Sequence, residues 1–160
     1  MKGTHKVSVR AKRVRFDFEL HRNLTILQGD SATGKTTLID MIQQYLDNSS
    51  GSSITVNCDK KCFVLSGALW KGQLEQVQDG IVFIDEGNEF IFSDEFAEAI
   101  RGTDNYYVIV AREGLPALPY SVEEIYGIRT SGRYGKLKQT YNEFYHIYGR
   151  TSPAEAVHPV

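Results

Sequence analysis

The stretch LTILQGDSATGKTTLIDMI, Leu24–Ile42, decides how the rest of the chain is read. It opens on an apolar run, Leu24–Leu27, as expected of a strand covered on both faces. It closes on Leu38, Ile39, Met41 and Ile42, continued by Tyr45 and Leu46, at helical spacing. Between strand and helix, Gly29, Asp30, Ser31, Ala32, Thr33, Gly34, Lys35 and Thr36 match G-x-x-x-x-G-K-[ST] at every fixed position. Glycines let a backbone fold into a nest of N–H groups around a phosphate, at the positive end of the following helix. Lys35 supplies a point charge to the β- and γ-phosphates. The Thr36 hydroxyl is a hard oxygen ligand suited to Mg²⁺, and Thr37 adds a further phosphate contact. A flexible Gly/Thr turn that only caps a helix is the competing reading. Residues 29–37 are the expected nucleotide-phosphate cradle.

The remaining sequence bounds the class of protein. With 160 residues and 18.1 kDa the chain is long enough for one domain with a proper core. We expect that domain over residues 1–150 and a loose tail over 151–160, where two prolines interrupt a segment with no period. No apolar run approaches the roughly 20 residues a membrane helix needs, and no signal-peptide pattern opens the chain. A cytoplasmic protein without membrane contact is the expectation. Two cysteines, Cys58 and Cys62, are too few for a disulfide framework and too few for a zinc site, so two reduced thiols near a turn are expected.

Alternation of Val14, Phe16, Phe18 and Leu20 with Arg15, Asp17 and Glu19 predicts a half-buried strand, paired with Lys6–Arg10. Residues 54–65 predict one strand or a hairpin, and Leu69–Val77 a helix. Ile81–Asp85, Tyr106–Ala111 and Glu123–Ile128 predict further strands. Ser93 as N-cap, Asp94 and Glu95 in the first turn and Gly102 after the end mark a short helix between them. The segment KLKQTYNEFYHIY reads as a terminal strand or hairpin. Strands alternating with helices predict an α/β fold with a mainly parallel sheet.

The glycine loop in this setting resembles the phosphate-loop (P-loop) NTPase superfamily and its Walker A motif, over about Leu24 to Ile128. IVFIDE, Ile81–Glu86, resembles that superfamily's Walker B motif. The resemblance implies that Asp85 holds Mg²⁺ and that Glu86 is the base, or the polariser, of the attacking water. The tandem acids resemble the ATPase branch with an additional strand. That implies a three-layer P-loop fold, strand order 5-1-4-3-2, with antiparallel hairpins at both ends. A polar residue at the end of the Tyr106–Ala111 strand, Arg112 or Glu113, would then sense the γ-phosphate; Arg112 is the catalytic candidate. The stretches RVRFDFELHRNLTILQGDSATGKTTLIDMI and LPYSVEEIYGIRTSGRYGKL resemble the opening and closing of ABC-type ATPase heads. Only 49 residues separate Lys35 from Asp85, too few for the helical insertion of those heads. The implied activity is Mg²⁺-dependent hydrolysis of ATP to ADP and phosphate. A small-molecule kinase and a nucleotide-gated binding module with little turnover are the alternatives. No N-K-x-D motif is present to read guanine.

Charge is uneven along the chain. Residues 1–22 carry seven Lys/Arg against Asp17 and Glu19. Residues 72–104 carry nine acids against Arg101, and residues 129–150 are basic again. Such asymmetry marks a partner or nucleic-acid surface in some proteins and solvated strand faces in more. The overall acidity, with a pI near 6.1, argues against a dedicated nucleic-acid binder. An unidentified protein partner fits the pattern equally. The aromatic run Tyr134, Tyr141, Phe144, Tyr145 and Tyr148 is expected to fill a sheet face.

Overall fold

The computed structural model describes residues 3–28, 34–48, 53–133 and 140–148. Nine strands are present: β1 (His5–Arg10), β2 (Val14–Leu20), β3 (Leu24–Leu27), β4 (Thr55–Asn57), β5 (Cys62–Val64), β6 (Ile81–Ile84), β7 (Tyr106–Val110), β8 (Ile125–Arg133) and β9 (Thr140–His146). Three α-helices accompany them: α1 (Lys35–Asp47), α2 (Trp70–Glu75) and α3 (Asp94–Arg101). All nine strands form one sheet in the order β4-β1-β2-β9-β8-β3-β7-β6-β5.

The expectation of a three-layer, mainly parallel fold with order 5-1-4-3-2 and separate terminal hairpins is therefore corrected: β8, β3, β7, β6 and β5 run parallel in that order, but β4, β1, β2 and β9 continue the same sheet. The sheet is mixed, nine-stranded and curled into a half-barrel, with three α-helices among the described residues. The cause is one strand pairing. β2 pairs in parallel with β9, from Val14↔Thr140 to Asp17↔Glu143, while β9 pairs antiparallel with β8. The two ends of the chain thereby become interior parts of one continuous sheet. An edge strand offers unpaired N–H and C=O groups to any neighbour, and here each terminal hairpin satisfies the other's edge.

The curl gives the two sheet faces different cores. α1 contacts β1, β4 and β5, which lie at or near opposite edges of the sheet, so it occupies the concave side. Its Leu38, Ile39, Met41 and Ile42 pack there against Val7, Val9, Phe16, Phe18, Phe83, Val108 and Val110. On the convex side, Trp70 and Leu74 of α2 and Phe96, Ala97 and Ile100 of α3 cover Ile26, Val82, Ile84, Tyr107 and Ile109. β3, β6 and β7 are thus buried on both faces, which explains their unbroken apolar sequences. β1 and β2 are buried on one face only, which explains their alternation. The Ser93 hydroxyl caps α3 by accepting from the Phe96 N–H at 3.1 Å.

The convex face of β2, β9 and β8 carries the basic residues of the chain ends as paired groups. Arg15 Nε donates to Asp17 Oδ2 at 2.6 Å, and Arg129 donates to Glu143 Oε1 at 3.2 Å. The same guanidinium groups lie 5.4 Å from the ring centres of Tyr141 and Tyr145. Tyr134, Lys136, Lys138 and the 151–160 tail lie outside the described residues. Among the described residues, no helix is long and apolar enough to cross a membrane.

One glycine has a conformational role that can be tested. Gly34 immediately precedes α1 with φ 92°, and an added Cβ would meet only the Phe16 ring at 3.8 Å. Space is available there, so the left-handed backbone is the obstacle to a side chain. Gly34→Ala is expected to destabilise the protein by about 1–2 kcal/mol, read in urea unfolding.

A candidate nucleotide site

Gly29, Asp30, Ser31, Ala32 and Thr33, the first part of the expected cradle, lie outside the described residues. Gly34, Lys35, Thr36 and Thr37 are described and form the junction and first turn of α1. Among the described residues no side chain caps this helix start, and no acid occupies its first turn. A helix N-terminus left this way presents backbone N–H groups and a positive dipole end to an anion. Leu38 and Ile39 anchor the helix in the concave core, so Thr36 and Thr37 face outward, exposed. Lys35 is 1% exposed.

Asp85 follows β6 at the end of the sheet where α1 begins. The Thr36 hydroxyl stands near its carboxylate. Asp85 Oδ1 accepts from the Glu86 N–H at 2.8 Å. Burial pushes the Asp85 pKa up, and the charges of Glu86 and Asp40 add to the rise, against the Glu86 N–H and the nearby Thr36 hydroxyl. Asp40 stands one helical turn beyond Thr36, on the same side of α1. The loop after Asp85 is fixed by Asn88, whose Nδ2 donates to the Asp85 carbonyl at 2.9 Å. Asn88 Oδ1 in turn accepts from the Gly67 N–H at 3.1 Å. Sequence reasoning passed over Asp40 and Asn88. The i, i+4 spacing of Thr36 and Asp40 was a readable signal, whereas Asn88 acts through a backbone path that has no sequence mark.

Arg112 follows β7, the neighbour of β6, and its Nε donates to Glu86 Oε2 at 2.7 Å. The Glu86 side chain is 26% exposed and that of Arg112 66%, so the pair sits at a solvent boundary. Lys35, Thr36, Asp85, Glu86 and Arg112 are thus gathered at one end of the sheet, on α1, β6 and β7.

Among the described residues, no three His, Cys, Asp or Glu side chains converge as a ready metal cage. Mg²⁺ does not require one: it keeps several waters and takes one or two protein oxygens plus phosphate oxygens. The Thr36 hydroxyl and Asp85 carboxylate are hard donors of that kind, and the anionic surroundings of Asp85 favour a cation. The donor set fits Mg²⁺.

The raised Asp85 pKa carries a stability consequence. A carboxyl whose folded pKa lies above its unfolded value destabilises the fold when ionised. That cost is fully present above the folded pKa and is relieved as pH falls toward 3.8, the unfolded reference. Asp85→Asn keeps the acceptor for the Glu86 N–H and removes the charge. In the absence of nucleotide it is expected to melt above the wild type at pH 7, with the gap closing near pH 4. Thermal scans across pH read this directly.

No protein-family profile matches the chain, and no curated protein is significantly similar to it.

Proposed function

We propose that the chain binds ATP with Mg²⁺ through Gly29–Thr37, Asp85 and Glu86 and hydrolyses it to ADP and phosphate. The observation that carries this reading is the placement of Thr36, in the first turn of α1, beside Asp85, which follows β6. The hydroxyl ends the G-x-x-x-x-G-K-[ST] stretch and the carboxylate ends an apolar strand far along the chain. Those are the two side chains that a phosphate-bound Mg²⁺ takes from a protein of the P-loop NTPase class. The likeness to that class rests on these residues and not on the nine-stranded sheet.

Thr36 and Asp85 would hold Mg²⁺, which would supply electrostatic stabilisation of the charge that develops on the phosphate. The helix N-terminus and Lys35 hold the β- and γ-phosphates by charge and by N–H donors. Glu86, next to Asp85 and partly open to solvent, orients and polarises the attacking water by accepting its proton. Arg112 holds the Glu86 carboxylate in place by a charge-assisted hydrogen bond. Arg112 is therefore a positioning residue for Glu86, and its reach to the γ-phosphate is a second role. Nucleic acid is not part of the reading; of the basic residues at the chain ends, Arg15 and Arg129 are paired with Asp17 and Glu143.

The test is thin-layer analysis of γ-labelled ATP incubated with the protein and Mg²⁺. Free phosphate is the expected product. Label transferred to an added acceptor would make the protein a kinase, and unchanged but bound ATP would make it a nucleotide-gated module.

A further inference from the structure

β4 and β5 are the two edge strands of the sheet, yet only residues 58–61 separate them in sequence. The curl brings the free edges to a common seam, bridged by this short connection. Cys62 pairs with Ile81 at the start of β6, so the seam connection lies at the opposite end of the sheet from Asp85. Cys58 leaves β4 half-buried, and Cys62 opens β5 buried. Cys58 and Cys62 line one cavity and pack in the same cluster, and the Cys58 Sγ donates to Asp59 Oδ1 at 3.6 Å.

The turn is held from both sides. His5 of β1 is hydrogen-bonded to the Asp59 carboxylate at 2.9 Å and stands edge-on to Tyr106, with ring centres 4.7 Å apart. Lys60 is ion-paired with Asp79, just before β6. A cavity of about 470 Å³ opens beside the sulfurs, lined by Tyr45 and Leu46 of α1, Val56 of β4 and Phe63 of β5. Among the described residues no third metal ligand joins the two thiols. The pair is placed for sulfur chemistry with a small molecule.

We propose that Cys58 and Cys62 are a modification site that cycles between two thiols and an intrachain disulfide by exchange with a small disulfide such as oxidised glutathione. Cys58 attacks first. Its thiolate bonds to one sulfur of the small disulfide, whose S–S bond breaks and releases a thiolate that takes up a proton. Cys62 then loses its proton and attacks the Cys58 sulfur of the mixed disulfide, expelling the second small thiol. Two protein thiols are oxidised by two electrons, and one small disulfide is reduced to two thiols. The neighbouring Cys62 thiol lowers the Cys58 pKa to about 7, against burial and the nearby Asp59. Burial and the Cys58 sulfur push the Cys62 thiol well above the ordinary range, so it remains the protonated partner. These opposite shifts assign the attacking and resolving roles.

The experiment equilibrates the purified protein in graded mixtures of reduced and oxidised glutathione, quenches with acid, alkylates free thiols and reads intact mass. We expect an intrachain disulfide, lost again on adding dithiothreitol. Cys62→Ser should accumulate a glutathione adduct on Cys58, since no second thiol resolves it. Cys58→Ser should slow modification of the remaining thiol by at least about tenfold, because that thiol is buried and protonated. Wild-type Cys58 should alkylate with a midpoint near pH 7, and Cys62→Ala, which removes the neighbouring thiol, should move the midpoint upward. Two alkylatable thiols at every redox ratio, or an adduct on Cys62, would overturn the proposal. The wild-type mass series decides the matter if either variant does not fold. Nucleotide binding is not part of the measurement.

Discussion

Lys35→Ala lowers affinity for Mg²⁺–ATP by on the order of 10²–10⁴-fold, read by isothermal titration. Two charge-assisted contacts, to the β- and γ-phosphates, disappear, and each contributes about 1.5–3 kcal/mol. The burial of Lys35 changes how this experiment is built. Alanine removes packed aliphatic stem as well as charge, so a folding defect could imitate a binding defect. Lys35→Met keeps the stem against the core and deletes the ammonium alone. Both variants should lose binding, while the methionine variant retains the wild-type far-ultraviolet circular dichroism and urea midpoint. A folded Lys35→Met protein with wild-type ATP affinity removes the phosphate cradle from this chain and the proposed function with it.

Glu86→Gln slows hydrolysis by about 10²–10⁴-fold while ATP and Mg²⁺ still bind. The amide preserves the shape of the side chain but cannot accept a proton from water. Its carbonyl oxygen still accepts from Arg112 Nε, now without charge assistance, so the position of the side chain survives while its basicity does not. Single-turnover assays separate the two effects: the chemical step should fall and the nucleotide dissociation constant should stay within a few-fold. Arg112→Ala provides the comparison. It leaves a basic Glu86 without its anchor, so turnover should fall less than in Glu86→Gln. If Glu86→Gln hydrolyses ATP at the wild-type rate, the water-activating role belongs to another acid, with Glu89 on the same loop the first to be tested.

Particular elements show how far reading the sequence reaches. The periodicity of Leu38–Leu46 is matched by α1, the Ser93 cap by α3, and the alternation after Val14 by β2 paired to β1. Each of these depends on interactions between residues close in the chain, where spacing translates directly into a buried face or a satisfied N–H. The candidate site was legible where a motif lies on one element: Lys35 and Thr36 begin α1, and Asp85 and Glu86 end β6. It was not legible where two elements must meet. The Arg112–Glu86 pair depends on β7 lying beside β6.

By itself the sequence determined the local elements, the glycine stretch with its lysine and hydroxyls, and the acids that close the Ile81–Ile84 strand. Only the tertiary structure decided that the chain ends join through β2 and β9, that the sheet has nine mixed strands, and that its edges approach at Cys58 and Cys62. A hydrophobic pattern states which face of a strand is buried. It does not name the neighbour along the edge, because that pairing is made by backbone N–H and C=O groups common to every residue except proline.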